Sequence, residues 1–225
     1  MIAELRIGVI DSGCSAEQAV NLTSARRFWL EDGVLREGAL LPDQLGHGTA
    51  VVACLQHEAG TLPLLLAQVF HAHGSTSALQ VAAALLWLVE QGVRVVNLSL
   101  GLQQDRPVLR QACAEAQAAG VLLCASSPAR GAAVYPASYP GVVRITGDAR
   151  CSPGQWSWLG SAQADFGGYV GSQQRAGASM ACAALSGRIA SMWGEEPQLK
   201  PQQLLESVRR NAVFAGPERR GAEDG

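Results

Sequence analysis

Three polar residues lie beside glycines at points where one predicted element gives way to another. Asp11 stands in Ile-Asp-Ser-Gly, His47 in Gly-His-Gly-Thr, and Ser179 in Gly-Ala-Ser-Met-Ala. Nucleophilic attack on a carbonyl needs a hydroxyl, an imidazole that takes its proton near neutral pH, and a carboxylate that holds the imidazole tautomer. Singly, Asp11 would suit a turn, His47 a helix start and Ser179 an N-cap. Together they supply the groups that acyl transfer requires.

Alternating strand and helix patterns would position these residues. Val93–Leu100 is apolar almost throughout, as expected of a strand buried on both faces, and Leu5–Ile10 is a similar run that ends in a turn. By the same criteria and by helix caps, the sequence predicts further strands at Leu64–Phe70, Val121–Ala125 and Val142–Thr146, and helices at Gly48–Gln56, Ser77–Gln91, Pro107–Ala119, Ala178–Trp193 and Pro201–Asn211. The alternation predicts an α/β fold, a three-layer α/β/α arrangement with a mainly parallel central sheet. Reactive groups collect at the carboxyl ends of strands in such sheets, which is where Asp11 falls.

Five segments resemble, in order, the signatures of the subtilisin-like serine peptidases. Ile7–Gly13, Gly46–Ala50 and Gly177–Ala181 are similar to the family's Asp, His and Ser motifs and follow its Asp, His, Ser order. Val96–Gly101 resembles its substrate-binding strand, and Tyr135–Pro140 the segment behind its specificity pocket. The resemblance implies a subtilisin-like fold and a serine endopeptidase that hydrolyses peptide bonds through an acyl-serine intermediate.

The resemblance also implies a role for each motif residue. Ser179 would be the nucleophile, His47 the general base and then the acid for the leaving amine, and Asp11 would orient His47. An extended peptide or an unfolded protein substrate would pair with the chain backbone to backbone. The implied substrate-binding residues are Ser99, Leu100, Gly101 and Gly74. The two glycines among them fit the close approach of a peptide backbone.

One residue usual in the family is missing. Its members usually carry an asparagine that forms half of the oxyanion hole, and this chain has no asparagine between Asn97 and Asn211. Ungapped alignment places Ala129 at that position, and a slip of two residues places Ser127 there. Other substitute donors in the same stretch are Ser126 and Arg130. Loss of this donor costs about a hundred- to a thousand-fold in turnover in subtilisin, the example from which the magnitude comes. The sequence therefore favours a selective or slow peptidase, such as one that removes a leader from a precursor, and leaves open a peptide-binding pseudopeptidase.

Composition limits the remaining possibilities. The chain has 225 residues, of which 48% are hydrophobic and 16% charged, and this predicts one globular domain over residues 1–215 with a disordered polar tail over 216–225. The net charge of −2 gives no reason to expect a nucleic-acid partner, and no apolar run reaches the length of a membrane span. Six cysteines without CxxC spacing are predicted to be reduced thiols. With no signal peptide and no prosegment before Leu5, the expected location is the cytoplasm.

Two other pairs of residues attract attention. His71 and His73 alternate like metal ligands, but two ligands are too few for a zinc site, and the short loop after His47 is poor in carboxylates that could bind calcium. We therefore expect neither a metal nor a cofactor, and histidines that contact substrate or solvent. Trp156 and Trp158 are predicted to be surface or interface aromatics, or else to mark an edge strand.

Overall fold

The computed structural model describes residues 5–71, 74–171 and 177–219. The strands are β1 (Ile7–Asp11), β2 (Ser24–Glu31), β3 (Val34–Gly38), β4 (Leu64–Gln68), β5 (Val95–Leu98), β6 (Leu122–Ser126), β7 (Val143–Gly147), β8 (Trp156–Trp158), β9 (Phe166–Gly168) and β10 (Phe214–Ala215). The helices are α1 (Ala16–Ala19), α2 (His47–Ala59), α3 (Ala78–Glu90), α4 (Pro107–Ala118), α5 (Ala178–Glu195) and α6 (Pro201–Arg210). Each element predicted from the sequence occurs, with ends that differ by three residues or fewer.

Within the described ranges, the strands form one ten-stranded sheet in the order β10-β8-β9-β7-β6-β5-β1-β4-β2-β3. Its pairs are parallel except for β2–β3 and β8–β9. Side chains alternate across the sheet, so Val9 packs with α2 and α5 on one face while Ile10 packs with α3 and α4 on the other. The predicted three-layer α/β/α fold is confirmed.

The strand order gathers three strand ends at one edge of the sheet. β1 lies between β4 and β5, and β6 pairs with β5 in the register Leu98↔Ala125. Because these strands are parallel, Asp11 at the end of β1, Ser99 after β5 and Ser127 after β6 all lie at the same edge. Helix α2 also begins at this edge, since its first residue, His47, hydrogen-bonds to Asp11.

Two regions differ from the sequence prediction. β2 and β3 form an antiparallel hairpin, which the prediction lacks, and Asp32 and Gly33 make its turn with φ of 50° and 76°. The tryptophan pair lies in β8, as the edge-strand alternative proposed, but β8 pairs with β9 and with β10. Trp156 is buried, and Trp158 packs edge-on against Phe166 with ring centroids 5.1 Å apart.

The predicted disordered tail is wrong for residues 216–219. The amide of Gly216 donates to Trp158 O, the amide of Arg219 donates to a carboxylate oxygen of Asp148, and Ala149 N–H donates to Arg219 O. Asp148 is fully buried and holds this part of the chain at the end of β7. The polar composition predicted solvent exposure, but it could not show this carboxylate acceptor. Residues 220–225 lie outside the described residues.

Candidate active site

Asp11 is a fully buried carboxylate at the end of β1, in the middle of the sheet. Its Oδ1 accepts hydrogen bonds from Ser12 N–H at 2.7 Å and from His47 Nδ1 at 2.8 Å. The two segments approach closely here, since a Cβ on Gly48 would lie 2.2 Å from Gly13 O and 3.1 Å from Asp11 Oδ1. Glycine at position 48 therefore lets the start of α2 reach the end of β1.

His47 is the first residue of α2 and follows Gly46, whose φ of 67° turns the chain into the helix. A carboxylate can only accept, so the bond to Asp11 requires the proton on Nδ1, and in the neutral ring Nε2 is then the basic nitrogen. The side chain of His47 is 42% exposed, while that of Asp11 is 0% exposed. A buried carboxylate behind a half-exposed imidazole is the arrangement that general-base catalysis requires.

Ser179 is the second residue of α5 and is tied to the segment that follows β5. Its hydroxyl donates to Ser99 O at 3.4 Å, and the Ser99 hydroxyl donates to Ser179 O at 3.0 Å. Ser99 in turn lines a cavity of about 280 Å³ together with Asp11, His47 and Gly74. The structure thus brings Asp11, His47 and Ser179 to one end of the sheet. The N-terminus of the 18-residue helix α5 also directs its positive dipole end at Ser179.

A buried polar network lies behind Ser179. Asn97, fully buried in β5, donates from Nδ2 to Ser99 Oγ at 3.0 Å and accepts from the Ser186 hydroxyl at 3.1 Å. Cys182 lies beside Ser186, with 4.0 Å between Sγ and Oγ. Burial and the neighbouring Cys124 raise the pKa of Cys182 well above its usual value, so this thiol keeps its proton. All six cysteines are free, as the sequence predicts.

The predicted substrate-binding residues fall into two groups. Ser99 and Gly74 border the cavity beside His47, and Gly74 makes a turn with φ of 63°. Leu100 is buried and Gly101 is exposed. The chain after them forms an isolated antiparallel bridge between Leu102 and Tyr135. A second cavity, of about 800 Å³, lies between β7 and α6, but neither Asp11 nor His47 lines it. The smaller cavity beside His47 is therefore the candidate active site.

The two predicted oxyanion residues, Ser127 and Ala129, differ in the groups that their side chains could donate. The Ser127 hydroxyl donates to Gln163 O at 2.8 Å, and Ser127 N–H donates to Ile145 O at 2.8 Å. The side chain of Ala129 is a methyl group, which cannot donate. Ser126 also points elsewhere, since its hydroxyl contacts Leu100 O at 3.5 Å. The hydroxyls of Ser127 and Ser126 thus each contact a carbonyl oxygen of the protein.

The histidine pair is only partly described. Burial lowers the pKa of His71, and the positive charge of Arg27 lowers it further, so the ring favours its neutral form. His73, which the sequence analysis paired with it, lies outside the described residues. Among the residues that the structure does describe, no group of three or more His, Cys, Asp or Glu side chains could hold a metal ion. No described helix is long and apolar enough to cross a membrane.

Sequence reasoning missed Asp43, a half-buried residue four positions before His47. Asp43 accepts hydrogen bonds from Ser12, Gly46 and Thr49, and so lies between the segments that carry Asp11 and His47. Asp43 lies three positions before the N-cap, Gly46, where no capping residue is expected, so the local sequence did not single it out.

Comparisons with known proteins agree with this geometry. A model of the subtilase family matches residues 3–224. Subtilisin Savinase of Lederbergia lenta is 31% identical over 152 residues, which cover 63% of this chain and 54% of that protein. A thermostable alkaline protease of Halalkalibacterium halodurans is 25% identical over 232 residues, 94% of this chain and 63% of that protein. The chain thus spans about half to two thirds of the length of these two relatives.

Solved structures show the same fold. The S41 psychrophilic protease superposes with a TM-score of 0.70 at 18% identity, covering 95% of this chain and 86% of that one. Sphericase superposes with a TM-score of 0.68 at 19% identity, covering 93% and 83% of the two chains.

Proposed function

The chain belongs to the subtilase family, and we propose on that basis that it is a serine endopeptidase with Asp11, His47 and Ser179 as its catalytic triad. The observation that carries the proposal is the 2.8 Å bond from His47 Nδ1 to the buried Asp11 carboxylate. This bond sets the imidazole tautomer that can accept the Ser179 proton. The mutual hydrogen bonds of Ser99 and Ser179 support the proposal, because they hold Ser179 beside Ser99, which lines the cavity together with Asp11 and His47.

The proposed reaction has two stages. As Ser179 Oγ attacks the peptide carbonyl, His47 Nε2 takes the hydroxyl proton and later delivers it to the leaving amine, so the C–N bond breaks and an acyl ester remains. A water molecule then attacks the ester carbonyl and gives a proton to His47, which passes it to Ser179 Oγ as the ester C–O bond breaks, so the carboxylic acid leaves and the hydroxyl is regenerated. The backbone N–H of Ser179 at the start of α5 supports the negative charge on the carbonyl oxygen.

We propose that the substrate is an extended peptide or an unfolded segment, and that the enzyme is selective, as in the maturation of a precursor by leader removal. Support comes from the exposed Gly101 beside the buried Ser99 and Leu100, which offers backbone groups to a peptide in extended conformation. Cytoplasmic location and the absence of a nucleic-acid partner stay predictions, which the free thiols and the net charge of −2 support.

A fluorophosphonate probe tests the nucleophile. We expect it to label the protein at Ser179, and Ser179→Ala to lose both labelling and peptide cleavage. Ser191→Ala is the matched control, because Ser191 belongs to the same helix and should leave both signals unchanged. Folded wild-type protein that takes up no label would contradict the proposal.

Selectivity is tested by digesting casein beside peptides encoded near the gene, and rapid casein digestion would exclude a selective enzyme.

A second candidate function is peptide binding without turnover. The observation that favours it is the Ser127 hydroxyl, which donates to Gln163 O rather than towards the cleft. A pseudopeptidase would bind peptides saturably, and Ser179→Ala would not alter that binding. Any turnover that disappears in Ser179→Ala decides for the enzyme.

A further inference from the structure

Asp43 has hydrogen-bond partners on both oxygens of its carboxylate. Oδ1 accepts from Ser12 Oγ at 2.9 Å, Leu45 N–H at 3.1 Å and Gly46 N–H at 2.9 Å. Oδ2 accepts from Thr49 N–H at 2.8 Å and from the Thr49 hydroxyl at 2.6 Å. The backbone donors belong to the turn before α2 and to the first turn of the helix, so a single side chain fixes the entry into the helix.

Ser12 extends this link to the segment that carries Asp11. Its hydroxyl donates to Asp43 and accepts from Gly48 N–H at 2.8 Å, while its own N–H donates to Asp11 Oδ1 at 2.7 Å. Gln68, at the end of β4, holds the same region from the other side by donating to Ser12 O at 2.7 Å. Ser12 and Gln68 are each 2% exposed. Ser12 is therefore held both by the residues at the start of α2 and by Gln68 of the neighbouring strand β4.

His47 lies between two amides that this link holds. Gly46 N–H is bonded to Asp43, and Gly48 N–H is bonded to Ser12 Oγ. The backbone of His47 is thus fixed from both sides relative to Asp11. We propose that Asp43 is a positioning residue that, through Ser12, holds the His47 imidazole in register with the Asp11 carboxylate. This inference rests on the proposed peptidase function but concerns a residue outside the triad.

The charge of Asp43 suits this role. Burial alone would favour the neutral acid, but the hydrogen bonds from Thr49, Ser12 and Gly46 outweigh it and lower the pKa of Asp43 below its usual value. The carboxylate therefore remains charged at neutral pH and keeps accepting all of its bonds. It also supplies negative charge near the N-terminus of α2, whose own first turn has no acidic residue.

The kinetic test compares Asp43→Ala and Asp43→Asn with the wild-type chain. Displacement of a catalytic group by about 1 Å costs up to about a hundred-fold in rate. We expect kcat of Asp43→Ala to fall by about ten- to a hundred-fold while KM changes by less than about two-fold, because the substrate contacts remain. Asp43→Asn should lose less, because its amide oxygen can still serve one set of donors.

A spectroscopic test gives a readout that does not depend on turnover. In histidine-labelled wild-type protein, the Nδ1 proton shared with Asp11 should give a low-field proton resonance, which His47→Gln assigns by its loss. Asp43→Ala should broaden or shift this resonance in protein that is still folded. Asp148→Asn is the matched control, since Asp148 is also a buried carboxylate, with bonds from Arg150 and Ser157, and follows the end of β7.

The outcomes separate the inference from the proposed function. Wild-type kcat and an unchanged resonance in folded Asp43→Ala would overturn the positioning role. If Asp148→Asn alters both signals as much as Asp43→Ala does, the effect is general destabilisation and the inference is also overturned. If the wild-type chain cleaves no peptide but its resonance responds to Asp43→Ala, the proposed peptidase function is refuted while the positioning role of Asp43 is supported. Should Asp43→Ala not fold, Ser12→Ala tests the same link and should move the resonance likewise.

Discussion

Gly48 is the position where one added carbon should do most harm to the site. An alanine Cβ there would lie 2.2 Å from Gly13 O, 2.7 Å from Gly13 N and 3.1 Å from Asp11 Oδ1. Atoms not bonded to each other prefer separations of about 3.5 Å or more, so the two segments must move apart by about 1 Å. The clash is with backbone atoms, and a change of side-chain rotamer cannot relieve it. The displacement falls on the 2.8 Å bond between Asp11 and His47.

The expected cost has two parts. Overpacking of this kind costs about 1–3 kcal/mol of stability, and a shift of about 1 Å in a catalytic group costs about a hundred-fold in rate. We therefore expect Gly48→Ala to fold, with a lower Tm, and to lose about a hundred-fold in kcat/KM. Cleavage of a fluorogenic peptide measures kcat/KM, and calorimetry measures Tm.

A matched glycine in α5 provides the control. A Cβ on Gly194 would have Leu62 Cδ2 as its nearest neighbour at 3.7 Å, an ordinary contact. Because alanine is the better helix former, Gly194→Ala should stabilise the chain by about 0.5–1 kcal/mol and leave kcat/KM unchanged. The reasoning is refuted if Gly48→Ala keeps wild-type kcat/KM, since the close approach would then not set the geometry of the pair.

Two further predictions concern Ser127 and the buried thiols. Ser127→Ala should remove the 2.8 Å bond to Gln163 O and about 1 kcal/mol of stability while changing kcat by less than about three-fold, and a hundred-fold loss of kcat would instead identify the hydroxyl as an oxyanion donor. Burial raises the pKa of Cys113 and of Cys124 from 9.0 to about 12 in the folded chain. The folded chain therefore binds the protons of these two thiols more tightly than the unfolded chain does. The stability that the protonated thiols contribute is complete below about pH 9 and is lost as the pH rises towards 12. Tm measured from pH 8 to pH 10.5 should fall above pH 9, and less steeply in Cys124→Ala; equal slopes would contradict this assignment.

The core elements of the fold could be predicted because their signals are local. Val93–Leu100 reads as a buried strand from its apolar run alone, and the structure places β5 there between β1 and β6. The hairpin of β2 and β3 was missed although Asp32-Gly33 is a typical hairpin turn, since nearly all residues of the two strands are half-buried or exposed and give no clear apolar alternation. Residues 216–219 were misjudged because a polar segment gives no sign of a distant acceptor such as Asp148.

The contact between Asp11 and His47 was predictable for a different reason. Asp11 and His47 stand in motifs whose glycines are needed for one contact, and Gly48 shows why, since any side chain there would push the pair apart. Asp43 was not found because its importance comes from contacts made across the fold. Ser12 lies 31 residues before it in the chain, and only the folded sheet brings the two together. Motifs therefore indicated the reacting groups better than the residues that hold them.

The absence of a family-type asparagine between Asn97 and Asn211 has a consequence for the choice of substrate. If Ser127 stays bonded to Gln163 O, the backbone N–H at the start of α5 carries more of the oxyanion stabilisation, at a cost of about a hundred- to a thousand-fold in kcat. An enzyme can recover such a loss only from binding energy that is realised in the transition state, and remote contacts with a long substrate are one source of it. A generic short peptide provides few of those contacts. For the proposed peptidase, the missing asparagine thus favours slow cleavage of most peptides and efficient cleavage of a substrate that fills more of the cleft.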